Sequence, residues 1–109
     1  ITPVLHGEWL SAGMHINAVG ACRPDWRELD DEVVATSKTF VDSIEAASIE
    51  SGDVIAAQNV NGEIGEVIVG KKAGRQSKDE ITLYKSLGIA VEDVAAADLA
   101  YRRALESGV

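Results

Sequence analysis

The chain has 109 residues, 46% of them hydrophobic and 26% charged, with a formal net charge of −8 at pH 7. That length fits one domain or a piece of one, and the aliphatic content is too high for a disordered polypeptide. The acidic balance disfavours sequence-independent binding to nucleic acid or to an anionic membrane face, and no apolar run approaches the roughly 20 residues of a membrane helix.

The chain opens at Ile1-Thr2-Pro3 without an initiator methionine and without a basic-then-apolar leader, which reads as an excised or processed start. A first strand is predicted over Met14 to Val19, ending at Gly20. Cys22 is the only cysteine, so no disulfide framework exists, and a reducing compartment such as the cytoplasm is expected. After Pro24, Asp25 and Glu28 have the spacing of a capping box, and Leu29 and Val33 fall on one face of the helix they would start. A second strand, Thr39 to Val41, leads to Asp42 and Glu45, which repeat that spacing before a helix stopped by Gly52. Asn61-Gly62 reads as a turn, and Glu63 to Val69 as a short helix closed by Gly70. A third strand, Ile81 to Tyr84, is followed by Lys85-Ser86-Leu87-Gly88.

The last element is a long helix over Ala90 to Ser107, free of Gly and Pro and rich in alanine. Val91, Val94, Ala97, Tyr101 and Leu105 form a stripe at helical spacing. Alternating strands and helices indicate an α/β fold: a parallel sheet flanked by helices. Such sheets bind ligands beyond the carboxyl ends of their strands. Here those ends are Val19-Gly20-Ala21-Cys22 and Lys85-Ser86-Leu87-Gly88, and they face one site if the first and third strands are neighbours.

A complete dinucleotide fold needs Gly-x-Gly-x-x-Gly between a strand and a helix, and no such spacing occurs. His6 and His15 match no metal-ligand pattern, so no metal site is expected. Cys22 is either a loop thiol or, given a nearby base, a nucleophile. Arg23, Asp25 and Arg27 around Trp26 offer either a grip for an anionic substrate or a capped, solvated helix start.

The segments Gly7-Glu8-Trp9-Leu10, His15-Ile16-Asn17-Ala18-Val19-Gly20-Ala21 and Arg23-Pro24-Asp25-Trp26-Arg27-Glu28-Leu29-Asp30 resemble the ornithine cyclodeaminase/mu-crystallin family. Phe40-Val41-Asp42-Ser43, Glu50-Ser51-Gly52-Asp53, Gly62-Glu63-Ile64-Gly65-Glu66-Val67 and Ile81-Thr82-Leu83-Tyr84-Lys85-Ser86-Leu87-Gly88 continue the likeness in order, through Ala90-Val91-Glu92-Asp93. The resemblance implies dimeric NAD(P)-dependent oxidoreductases with a Rossmann domain and a separate dimerisation and substrate domain. Residues 1–109 would then be the C-terminal part of the Rossmann domain, a partial parallel sheet ending in a return helix over about residues 89–107.

By the same resemblance, Val19, Gly20, Ala21, Cys22 and Ser86 would bind the nicotinamide end of NAD or NADP, and Arg23 and Leu87 the substrate. Cyclodeaminases of the family carry a water-activating aspartate where this chain has Cys22, and a thiol does not replace a carboxylate base. The Arg23-Pro24-Asp25-Trp26-Arg27 run resembles the mu-crystallin branch instead, which implies ketimine reduction: hydride transfer to the C=N of an amino acid-derived imine. The rival reading is a stand-alone remnant that folds and self-associates without catalysing anything, since the phosphate loop is missing.

Overall fold

In the computed structural model, residues 2–109 are described and Ile1, where the start was read, lies outside them. A 3-10 turn, Gly7–Trp9, precedes β1 (His15–Ala18), α1 (Asp31–Thr36), β2 (Lys38–Val41), α2 (Ile44–Glu50) and α3 (Gly52–Ala57). There follow β3 (Gly62–Glu63), α4 (Ile64–Ile68), β4 (Thr82–Lys85) and α5 (Ala90–Glu106). The four strands pair in the order β1-β4-β2-β3, all parallel. The strand that comes last in sequence thus lies between β1 and β2, in register His15–Thr82–Lys38 through Ala18–Lys85–Val41.

Alternate residues of a strand point to opposite faces. One face of the sheet carries Ala18, Leu83 and Val41 into two apolar clusters. Ala18, Leu29, Val33, Val34 and Leu83 form the first, and Val41, Ala47 and Val54 the second. Lys85 stands between Ala18 and Val41 in the same row, where the clusters meet. The two faces of β2 are both largely covered, which is why its sequence reads as an unbroken Thr-Phe-Val run.

Four expectations are corrected. Residues 25–28 are not helical: α1 begins later, capped by Asp30, whose side chain accepts from the Val33 amide at 2.9 Å. Helix α2 is capped by Ser43, not Asp42, because Asp42 is used elsewhere. Gly52 does not end the helical region but opens α3, with Ser51 as its cap. The residue there must be glycine for a different reason: a Cβ would lie 2.1 Å from the Trp26 carbonyl oxygen and 2.8 Å from that of Pro24. Gly62, read with Asn61 as a turn, is instead the first residue of β3, which pairs with β2 at Phe40 and Val41.

Helix α5 forms as the alanine content demands, yet none of its residues is buried. Val91, Val94, Leu99, Tyr101 and Leu105 are each more than half exposed. The helix, about 25 Å long at 1.5 Å per residue, stretches the molecule to 49 × 33 × 25 Å. No helix among the described residues is long and apolar enough to cross a membrane.

Candidate functional site

Strands β1 and β4 are neighbours, so the two segments singled out at their carboxyl ends do meet. The Ser86 amide donates to the Ala18 carbonyl at 3.0 Å, tying the two ends together. Asp42, at the end of β2, joins them. Its Oδ2 accepts from the Ser86 hydroxyl at 3.0 Å, the Leu87 amide at 2.8 Å and the Gly88 amide at 2.7 Å. Its Oδ1 accepts from the Ser43 amide at 2.9 Å. Burial alone would raise the Asp42 pKa. The four donated bonds outweigh it and hold the carboxyl below its ordinary value, so the group is an anion.

Below the end of β1 lies a second acidic centre. Glu28 turns inward instead of back-capping a helix. Its Oε2 accepts from the Gly20 amide at 2.8 Å and the Ala21 amide at 3.3 Å, and meets Lys85 Nζ at 3.1 Å. Desolvation pushes this carboxyl up, but the Gly20 amide and the Lys85 ammonium prevail and its pKa is lowered. Lys85 is fully buried, and Asp53 Oδ2 lies 3.8 Å from the same ammonium. Asp53 Oδ1 accepts from Arg27 Nε at 3.2 Å and from the Glu28 and Leu29 amides at 3.0 and 3.1 Å. A buried lysine needs compensating anions, and here the same anions fix the loop that follows β1.

The residues picked out from sequence fall as follows. Val19 is 67% exposed at the mouth, Gly20 is exposed and Ala21 is buried. Cys22 is an exposed free thiol. Arg23 is exposed and lies over the Trp26 ring, 4.9 Å from its centroid. Leu87 is half-buried against the Val41–Ala47–Val54 cluster. Arg27, one of the residues considered for gripping an anion, is instead committed to Asp53, to the Leu29 carbonyl and to Asp31 at 2.6 Å. A cavity of about 240 Å³ beside the loop is lined by Val4, Gly20, Ala21, Trp26, Arg27 and Glu28. His6 pairs with Asp30 at 3.2 Å and His15 with the Thr82 hydroxyl at 2.8 Å. They do not come together, and no group of three or more metal-binding side chains occurs among the described residues.

Sequence reasoning missed Glu28, Asp42, Asp53 and Lys85. One signal was available: a lysine that closes a strand of the sheet requires an acidic partner wherever the fold buries it.

A description of the ornithine cyclodeaminase/mu-crystallin family matches residues 1–108. Among curated relatives, the ketimine reductase mu-crystallin of Macropus fuliginosus is 55% identical over 100 residues, 91% of this chain and 31% of the relative. The Δ1-pyrroline-2-carboxylate reductase of a Bacillus cereus strain is 44% identical over 117 residues, 99% of this chain and 36% of its own. Among solved structures, Thermococcus litoralis Δ1-pyrroline-2-carboxylate reductase in complex with NADH and L-proline superposes with a TM-score of 0.87 at 46% identity. That match covers 98% of this chain and 36% of the other. The chain therefore spans about a third of the length of the relatives it matches.

Proposed function

Because this chain belongs to the ornithine cyclodeaminase/mu-crystallin family, we propose that it is the later part of the Rossmann domain of an NAD(P)-dependent ketimine reductase. Its substrate would be a cyclic imine derived from an amino acid. The observation that carries this reading is the junction of β1 and β4, where Ser86 and Val19–Cys22 are brought to one mouth at the carboxyl ends of parallel strands. The reductases among the relatives support the reaction class.

The mouth suits the nicotinamide end of a dinucleotide. An exposed apolar side chain, Val19, stands by the half-buried Ser86, and a Cβ added at Gly88 would meet no atom within 4 Å. The pyrophosphate end finds no seat in these residues. No glycine-rich loop is present, and the Gly20 and Ala21 amides are taken by Glu28. When bound, the nicotinamide supplies the hydride. Val19, Gly20, Ala21 and Cys22 would wall its pocket, Ser86 would meet its polar edge, and Leu87 and Arg23 would face the substrate. Cys22 would bound the site without serving as a base.

Residues 90–106 would start the return helix, whose exposed apolar stripe supports packing against the remainder of a longer chain or a second subunit. Self-association, as a homodimer, belongs to this reading, and the lone thiol supports a cytoplasmic location. The stand-alone, non-catalytic remnant is favoured only by the missing phosphate loop. Steady-state kinetics on a full-length reductase carrying this segment test the assignment. Ser86→Trp abolishes ketimine reduction by filling the ring's place. Cys22→Asp does not create ornithine deamination, because a carboxylate base must first meet a substrate positioned at about 3 Å. Undiminished reduction by the first variant, or substantial proline formation from ornithine by the second, would show that these segments belong to another site.

A further inference from the structure

Ser86 has one hydroxyl proton and two lone pairs, and the structure commits the proton. The hydroxyl oxygen is 3.0 Å from Asp42 Oδ2. That carboxylate oxygen also receives the Leu87 and Gly88 amides at 2.8 and 2.7 Å, and an amide can only donate. Asp42 Oδ2 is thus an acceptor three times over, and the Ser86 proton must point to it. One Ser86 lone pair is shared with the Gly88 amide at 3.2 Å. The neighbouring Tyr84 hydroxyl sends its own proton to Glu92 Oε1 at 3.3 Å. The remaining lone pair is what Ser86 can offer to a ligand.

We infer that Asp42 is a positioning residue that fixes Ser86 as a hydrogen-bond acceptor at the mouth of the site, so that the ligand group meeting Ser86 must be an N–H or O–H donor. This rests on the functional reading above and sharpens it. The ring edge that meets Ser86 is the amino group of the nicotinamide carboxamide, not its carbonyl oxygen. A ligand carboxylate would place acceptor against acceptor and is disfavoured there. Specificity at this point comes from a residue just after β2 that need not touch the ligand, acting through a hydroxyl on the loop after β4.

The test compares two nucleotides that differ at one group: NAD+ and its 3-acetylpyridine analogue, in which a methyl ketone keeps the carbonyl and loses the N–H donors. Dissociation constants are measured by calorimetry on a full-length reductase carrying this segment, so turnover plays no part. The unaltered protein binds NAD+ about five- to tenfold more tightly, the worth of one neutral hydrogen bond. Ser86→Ala loses that preference and Ser86→Thr, which keeps the hydroxyl, retains it. Asp42→Ala narrows it, because Ser86 loses the acceptor of its proton, which is then free to turn toward the site. A purely structural role for Asp42 would weaken both nucleotides alike and leave their ratio unchanged.

An unaltered protein with no preference, or a preference that survives Ser86→Ala, would overturn the inference while leaving the functional reading intact. A full preference in a folded Asp42→Ala protein would do the same for the role of Asp42. If Asp42→Ala does not fold, Asp42→Glu takes its place: it keeps an acceptor and should retain the preference, and a loss of preference there counts against the proton assignment. Failure of the unaltered protein to bind either nucleotide would overturn both readings.

Discussion

Lys85 Nζ, wholly shielded from solvent, lies 3.1 Å from Glu28 Oε2, and this contact links the central strand to the loop that follows β1. The carboxylate serves two clients: the ammonium below it and the Gly20 and Ala21 amides above. Glu28→Ala removes the nearest counter-charge of a buried lysine and leaves Asp53 Oδ2, at 3.8 Å, as its remaining ion-pair partner. The expected loss is about 3 kcal/mol of unfolding free energy. Urea denaturation of both proteins measures it, and a loss below about 1 kcal/mol would mean that the pair contributes little.

Acid stability follows from Asp42. Its pKa is lower in the folded chain than the ordinary 3.8, because the Leu87, Gly88 and Ser86 donors overcome the opposing effect of burial. A depressed pKa means that the folded state binds this proton more weakly than the unfolded one. The stabilisation is therefore complete above the ordinary carboxylate range and is lost as pH falls through that range toward the folded value. Asp42→Asn should be less stable than the parent at neutral pH, with the gap closing on acidification. Denaturation curves taken between about pH 6 and pH 3 show this, whereas a gap that stays constant would place the acid sensitivity on other groups. Glu28 and Asp30, also depressed, remain in both proteins and set the background slope.

Two glycines make opposite predictions. At Gly52 an added methyl would strike the backbone carbonyl oxygens of Trp26 and Pro24, neither of which can swing aside. Gly52→Ala should cost several kcal/mol or abolish folding, on the order of an overpacked core. At Gly65, inside α4, a Cβ meets nothing within 4 Å. Gly65→Ala should stabilise by about 0.5–1 kcal/mol through helix propensity. Thermal melts of the pair decide the matter, and a reversed order would contradict the packing described around Gly52.

The 109-residue segment alone should bind NADH and NADPH weakly or not at all, since the pyrophosphate lacks its glycine loop. Micromolar binding by calorimetry would refute this. The same segment should self-associate through the unpaired side of β1 and the bare α5 stripe. Sedimentation of a clean monomer at high micromolar concentration is the contrary result.

Much of this architecture was legible in the residues, for a physical reason. Parallel strands leave short runs rich in aliphatic and β-branched residues, and His15–Ala18, Lys38–Val41 and Thr82–Lys85 fall within a residue or so of where such runs predict them. Helix α5 is readable because alanine content alone specifies it. The misread positions share a cause. Asp25/Glu28 and Asp42/Glu45 have the local spacing of a helix cap, but Glu28 and Asp42 are claimed by Lys85 and Ser86, 57 and 44 residues away. Local pattern cannot register a partner that only the fold delivers. Strand β3 escaped because two residues carry no periodicity.

The strand order also governs how the chain can assemble. Because β4 sits between β1 and β2, those two strands have no hydrogen bonds to one another. While the polypeptide is being synthesised, β2 can pair only with β3, at Phe40–Gly62 and Val41–Glu63. The pairing of β1 with β4 has to wait until Thr82–Lys85 emerges. The insertion of β4 then closes both ladders and brings Lys85 to Glu28 in one long-range step, the kind of non-local pairing that folds slowly. Until that step Glu28 and Asp53 lack the Lys85 ammonium, so these two contacts mark completion of the sheet, not its nucleus.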